Sequence, residues 1–335
     1  MKQRKSPFVG TLSLVMLLLA GCSQEVVIND SPNARSGKYI AFNPLIEKSD
    51  TRAEVITNDN LESFAVWAAG ELPALTENLV LNDVLVYRNK ENKWVYNPEV
   101  LWSASTMDFY AYAPALSTNV KSTFAPNGST ITYTVKQEKN KGVINQEDFL
   151  VAYKKKVDRN AGTVVLQFQH ALSRARFEAR SGVEGVNLII KKVELHNLKA
   201  VGDLDFENAG IPSSGGFTYD DINHTPLVTL WTNQRSPINY DVARTRDSGE
   251  SNSFIMVDNT MTQIHTDANA LMVLPQQTVL AVIDQSNGNV TNINGEDTNP
   301  SSGDEPFYIS VVWALSTNPS QEMTTNFPVL FPGLD

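Results

Sequence analysis

Apolar and polar residues alternate with a period of two along much of this chain. Between Arg174 and Arg180, for example, Ala175, Phe177 and Ala179 alternate with charged residues. Such alternation indicates a β-strand with one face in a core. No segment beyond the first 22 residues sustains the 3.6-residue period of an amphipathic helix. Further strands are predicted at 64–67, 84–87, 94–96, 109–113, 131–135, 149–153, 164–168, 188–195, 271–274, 279–283 and 307–313.

Turn-rich segments separate these strands, as at residues 127–129, 212–216 and 287–289. Many short strands with turns between them predict sandwiches or barrels, so we expect an all-β fold. The glycine-bearing break at 181–185 is the best candidate for a domain boundary. It predicts an N-terminal β-sandwich at 38–182 and a C-terminal one at 183–335, each of a common domain size.

The first 22 residues differ in kind from the rest of the chain. Basic residues precede an apolar run from Val9 to Ala20, which is typical of a secretory signal peptide. The run ends in Leu19-Ala20-Gly21-Cys22, which is similar to the lipobox of bacterial lipoproteins. We therefore predict a signal peptide at 1–21, lipidation of Cys22 and a polar tether at 22–37. An ordinary signal peptide followed by a chance cysteine is the alternative.

Charge and composition narrow the function classes. Without residues 1–21 the chain loses Lys2, Arg4 and Lys5 of its 27 basic residues and keeps all 37 acidic ones, for a formal charge of −13. An acidic protein repels phosphate, so we expect no nucleic-acid partner. Cys22 is the only cysteine, so it cannot close an internal disulfide.

Motifs that would carry catalysis are missing from the sequence. His170, His196, His224 and His265 are scattered without metal-ligand spacing, and no nucleophile elbow or phosphate loop is found. We therefore predict no enzyme, no cofactor and no metal site. His170 lies on the same face of its predicted strand as Leu166 and Phe168, so we expect it in the core, bonded to a backbone carbonyl. The acidic residues at 295–305 could hold calcium, but a solvated loop is the favoured interpretation.

Five aromatic residues fall close together and offer a second possible site. Aromatic rings in an exposed groove would stack on sugars, which makes a monomeric surface lipoprotein that binds carbohydrate the alternative function. Phe109 and Ala111 alternate with two of the five, however, as expected for a strand between a core and a half-covered face, so core packing is the favoured interpretation. The five are Trp94, Tyr96, Trp102, Tyr110 and Tyr112.

Several short motifs, in this order and spacing, resemble the fimbrillins of Bacteroidales, the FimA-like and Mfa-like subunits of type V pili. The resemblance runs across most of the chain from about Lys38. The motifs are Ile40-Ala41-Phe42, Thr51-Arg52-Ala53, Phe64-Ala65-Val66-Trp67-Ala68, Trp94-Val95-Tyr96-Asn97-Pro98 with Trp102, Asp108-Phe109-Tyr110-Ala111-Tyr112-Ala113-Pro114, Asp148-Phe149-Leu150-Val151-Ala152, Phe168-Gln169-His170-Ala171-Leu172 and Leu274-Pro275-Gln276.

The resemblance implies two antiparallel β-sandwich domains in tandem, with transthyretin-like, Greek-key topology. It also implies a lipid-anchored precursor at the outer membrane, cleavage after an arginine by an arginine-specific protease, and assembly into a fimbria on the cell surface. Other fimbrillin subunits would be the partners, joined by strand insertion, and the adhesion target would be a host glycan or protein.

Cleavage would discard the first strand of the N-terminal sandwich, at 38–52. An open groove with unpaired backbone groups would then accept a strand from another subunit. We assign the displaced strand to Tyr39, Ile40, Ala41 and Phe42, broken at Pro44, and the cleavage to Arg52. Arg35 is the rival, but a cut there would leave the strand attached to its domain.

The segment 326–335 departs from the family pattern for a donor strand. Pro328 and Pro332 each lack the N–H that a ladder needs, which makes this segment a poor donor. The sequence therefore predicts a subunit that accepts a strand more readily than it donates one, as suits the pilus tip better than the stalk.

Overall fold

The protein is described by a computed structural model that covers residues 39–46, 56–70, 79–125, 128–136, 146–205, 231–244, 255–264, 271–276, 281–283, 290–292 and 306–328. The predicted signal peptide, tether, lipidation site Cys22 and cleavage sites Arg35 and Arg52 lie outside these ranges. So do His224, His265, the acidic residues 295–305 and the segment 329–335.

The first half of the chain is built of short strands with one 3₁₀ turn at Arg159–Ala161. The strands are β1 (Ala41–Ile46), β2 (Ser63–Gly70), β3 (Leu79–Arg88), β4 (Trp94–Val95), β5 (Thr106–Ala113), β6 (Val120–Ala125), β7 (Gly128–Thr134), β8 (Leu150–Asp158), β9 (Thr163–His170), β10 (Ser173–Ala175) and β11 (Glu178–Ala179).

The second half contains longer strands and several short pairs. They are β12 (Leu188–Asp205), β13 (Trp231–Arg244), β14 (Ile255–Val257), β15 (Thr262–Gln263), β16 (Leu271–Val273), β17 (Ala281–Ile283), β18 (Val290–Asn292), β19 (Tyr308–Leu315) and β20 (Asn318–Pro328). The fold is all-β, in agreement with the prediction, and its sheets pack as β-sandwiches.

The first large sheet has the order β1-β9-β8-β5-β2-β3-β4 among the described strands. Its inner strands β2 and β5 are almost continuously apolar, because both of their faces are buried. In β5, Phe109 and Ala111 enter one core while Tyr110 and Tyr112 enter another. This strand therefore carries apolar packing on both sides of the sheet.

Strand β1 departs from the prediction in two ways. It runs parallel to β9, whereas every other described pairing is antiparallel. It also continues through Pro44 to Ile46 instead of breaking at the proline, so the predicted break was wrong. The physical reason is that β1 lies at the edge of its sheet, where a residue without an N–H is tolerated.

The second large sheet has the order β20-β19-β12-β7-β6, and β13 and β14 also pair with β12. The hairpin β6–β7 precedes the boundary predicted at 181–185, yet it belongs to this sheet. The second sheet therefore takes strands from both of the predicted ranges, 38–182 and 183–335, whereas the first sheet lies within 38–182.

Two apolar clusters hold these layers together. The first cluster, on one face of β2 and β5, includes Phe42 of β1 and Phe168 of β9. The second, on their opposite face, joins Tyr112 to Tyr133 and Trp231 of the second sheet. Strands β2 and β5 therefore form a middle layer between two cores. Across the residues described, none belongs to a helix long and apolar enough to span a membrane.

Candidate functional site

The slot that holds β1 is the site on which the predicted function depends. On one side, β1 pairs with β9 from Ala41 opposite Thr163 to Ile46 opposite Phe168. Strand β9 pairs with β8 only at Gln169 and His170. Among the described strands, β1 is therefore the sole ladder partner of the first six residues of β9.

The segment 96–101 closes the other side of the slot near the start of β1. The Ile40 N–H donates to the Val100 carbonyl at 3.0 Å. The Tyr96 hydroxyl donates to the Ile40 carbonyl at 2.8 Å and accepts the Val100 N–H at 3.3 Å. This hydroxyl therefore adds a side-chain link beside the direct backbone hydrogen bond between Ile40 and Val100. Tyr39 adds an isolated bridge to Leu101.

Burial strengthens the hold of the Tyr96 hydroxyl on its proton. Desolvation raises the pKa of Tyr96 to about 12, the Val100 N–H opposes that rise, and the Glu99 carboxylate adds to it. The hydroxyl therefore keeps its proton at neutral pH and remains a donor to Ile40.

The Asn58 side chain closes the slot at the opposite end of β1. Its Oδ1 accepts the Ile46 N–H at 2.7 Å, and its Nδ2 donates to the Ile46 carbonyl at 3.0 Å. The amide thus takes the place that a neighbouring strand would occupy. Arg88 fixes this position, because its guanidinium donates to the Asn58 and Asp59 carbonyls and lies 5.0 Å from the Trp94 ring.

Apolar side chains of β1 fill the slot from within. Ile40, Phe42 and Ile46 are each less than a tenth exposed. The Phe42 ring makes edge contacts with Phe64 and Phe109, with centroids 5.8 and 6.0 Å apart. A buried aromatic ring with several ring neighbours is worth a few kcal/mol of stability, so β1 is an integral part of this core.

The predicted displaced strand covers only part of the observed one. Tyr39, Ile40, Ala41 and Phe42 all lie in the slot, but residues 43–46 belong to it as well. Asn58 was not predicted, and Tyr96 was predicted only as an aromatic ring and as part of a family motif. The sequence places non-polar residues at the alternate positions 40, 42, 44 and 46. This alternation is the signal that could have extended the predicted strand to Ile46.

The aromatic residues proposed for sugar stacking do not line an exposed groove. Tyr96, Trp102, Tyr110 and Tyr112 are all less than a tenth exposed. Trp94 is half-buried against Phe64 and beneath Arg88. The predicted packing of Tyr110 and Tyr112 in a core is confirmed.

Two of the four histidines are described, and each has a structural partner. His170 is bonded to the Asp148 carboxylate, so the expected backbone carbonyl was the wrong partner. His196 stacks on Tyr308 with ring centroids 4.3 Å apart and bonds to the Ser310 hydroxyl at 2.7 Å. In the portion of the chain that the structure covers, no three metal-ligating side chains cluster.

A family model described as fimbrillin-like matches residues 51–308, more than three quarters of the chain. No curated protein matches the chain significantly. The matched range begins one residue before Arg52 and leaves β1 outside.

Proposed function

The chain belongs to the fimbrillin-like family of structural subunits of cell-surface pili, and on this premise we propose that its first strand is a temporary occupant of the β1 slot. In this proposal the protein is exported as a lipoprotein through Cys22 and cut after Arg52. The β1 strand then leaves, and a strand of another subunit takes its place.

The pairing of β9 is the observation that carries the proposal. Residues 163–168 of β9 have β1 as their ladder partner, and no other described strand pairs with them. Without β1 these backbone groups would lose their hydrogen bonds, and part of the core would be exposed to water. Such an edge accepts an extended segment readily.

The chain connection supports Arg52 as the point of release. Ile46, the last residue of β1, and Ile56, where the described chain resumes, lie on either side of Arg52. A cut between them would leave β1 held by non-covalent contacts alone. A cut after Arg35 would leave β1 joined to the rest of its domain.

The proposed tip position rests on β20. Residues 318–328 of this strand already pair with β19 in the same chain, and Pro328 donates no N–H. A segment committed to its own sheet makes a poor donor. We expect a stalk subunit that receives residues 321–335 in exchange for its own C-terminal segment to polymerise poorly, and normal polymerisation would overturn the tip assignment.

Cleavage is tested by treating residues 23–335 with an arginine-specific protease and measuring intact mass and native size. We expect a product that begins at Ala53, and oligomers or capture of a strand peptide once residues 23–52 dissociate. Arg52→Lys should block both results, whereas Arg35→Lys, the matched control, should not. A wild-type product that keeps β1 bound and stays monomeric after the cut would overturn strand exchange.

A further inference from the structure

The backbone of residues 40–46 forms hydrogen bonds on both sides of the strand. In an extended strand, the N–H and C=O of one residue point to one side and those of the next residue to the other. Ile40 and Ile46 both point away from β9, toward Tyr96 and Asn58 respectively. The residues between them with the same parity are Phe42 and Pro44, and Pro44 has no N–H to satisfy.

We propose that Tyr96 and Asn58 form a two-point backbone receptor that sets the register of whichever strand occupies the slot. This inference rests on the proposed function, because it extends to the strand of a partner subunit. The two contact points are six residues apart, about 20 Å along an extended strand. Both residues are positioning residues, since they contact backbone atoms and leave the side chains of the strand free to differ.

The slot also defines the chemistry of its partner. Along residues 40–46, the buried side chains of one parity follow the order branched aliphatic, aromatic, proline and branched aliphatic at positions 40, 42, 44 and 46, and Ala41 of the other parity is buried as well. A partner strand must therefore offer apolar side chains at i, i+2 and i+6, and it must keep its N–H groups at i and i+6. A residue without an N–H is tolerated at i+4.

The two contact points differ in strength. Tyr96 is buried, so loss of its hydroxyl would leave the Ile40 carbonyl and the Val100 N–H without these bonds in a dry environment. Asn58 is exposed, so water can replace its amide. Unsatisfied buried groups cost more than exposed ones. The strand therefore opens first at Ile46, the end nearer Arg52, and last at Ile40.

Hydrogen exchange in uncut residues 23–335 tests the receptor without any cleavage. Tyr96→Phe should speed exchange across residues 41–46 about tenfold or more, and Asn58→Ala about threefold near Ile46. Gln276→Ala is the matched control, because that side-chain amide bonds the N–H and carbonyl of Lys199 in the same way, but on β12 of the second sheet. It should leave β1 unchanged. Unchanged protection of β1 in both slot variants would overturn the proposal.

Strand binding to the cut protein tests the extension to a partner. The probe is a synthetic peptide of residues 38–47, with or without an N-methyl group on Ile46. N-methylation of Ile46 should weaken binding of the peptide to the wild-type protein about tenfold. It should weaken binding to Asn58→Ala by less than about twofold, because that variant already lacks the contact with the Ile46 N–H. N-methylation at Phe42 controls for added bulk and should show no such dependence on residue 58. Equal losses of peptide affinity in the wild type and in Asn58→Ala would overturn the receptor proposal.

The two proposals fail separately. If the cut wild-type protein retains its own strand and takes up no peptide, strand exchange fails, and hydrogen exchange alone decides whether the receptor exists. If peptide enters the slot but N-methylation of Ile46 weakens binding equally in the wild type and in Asn58→Ala, strand exchange is supported and the receptor proposal is wrong.

Discussion

Nδ1 of His170 lies 2.9 Å from Oδ2 of Asp148, and both side chains are largely buried. The same Asp148 oxygen also accepts the N–H of Ile56 at 3.2 Å. This carboxylate therefore joins the end of β9 to the residue at which the described chain resumes after β1. The chain beyond the proposed cleavage point is anchored independently of the strand that would leave.

Removal of this carboxylate should destabilise the protein. In Asp148→Ala, His170 and the Ile56 N–H lose a buried partner, so we expect the free energy of unfolding to fall by about 3 kcal/mol. Urea denaturation measures the loss. Glu91→Ala breaks an exposed pair with Lys93 and should cost less than about 1 kcal/mol. Similar losses of unfolding free energy in the two variants would show that the buried pair contributes no more stability than the exposed one.

Asp203 should make stability depend on acidity. Burial alone would raise the pKa of this carboxyl, but hydrogen bonds from Arg235, Thr132 and Asn233 together hold it below its ordinary value of 3.8. A depressed pKa contributes stability that is present above pH 3.8 and lost as the pH falls through the lower, folded value.

The test compares the wild type with Asp203→Asn in urea titrations at several pH values. We expect the variant to be less stable by about 1–2 kcal/mol at pH 7, with the difference shrinking below pH 4. A difference that stays constant from pH 7 to pH 3 would contradict this account.

Replacement of Gly202 by a larger residue should destabilise the protein, because β12 is tightly packed near its C-terminal end. A Cβ at this position would lie 3.0 Å from Cε3 of Trp231 and 3.2 Å from Cδ1 of Leu274. We therefore expect Gly202→Ala to lower stability by about 1–3 kcal/mol. Gly182→Ala is the control, because its Cβ would meet no atom within 4 Å. The melting temperatures compare the two, and an equal or smaller shift for Gly202→Ala would refute the packing argument.

Phe42 should dominate the contribution of β1 to the uncut protein. Its ring packs against three aromatic rings, so Phe42→Ala should cost about 3–5 kcal/mol in chemical denaturation. Asn43→Ala, on the half-buried opposite parity, should cost less than about 1 kcal/mol. A cost for Phe42→Ala as small as that of the control would mean that β1 packs loosely in its slot.

The sequence predicted most strands of the first sheet because burial there leaves a strong pattern. The apolar runs at β2 and β5 and the alternation at β9 each correspond to an observed strand. β13 and β20 were missed, since β13 contains Pro237 and a left-handed Ser236, while β20 is largely polar and exposed. Pairing with β12 and β19 produces these strands, and their own sequences carry little signal.

The site was less predictable than the fold. The importance of the segment near Ile40 and Phe42 came from family resemblance, which reports a shared role without its contacts. Tyr96 and Asn58 reach β1 across sequence separations of 56 and 12 residues. A contact between a side chain and a distant backbone depends on the final fold, and no spacing rule along the chain identifies it.

The middle position of β2 and β5 has a mechanical consequence. Departure of β1 would remove Phe42 from the core on one face of this layer, while the opposite face would keep Tyr112, Tyr133 and Trp231 in contact. Among the described residues, the second core contains none from β1, so its own contacts would remain. If strand exchange occurs as proposed, the second core would hold the subunit together while its first strand is replaced.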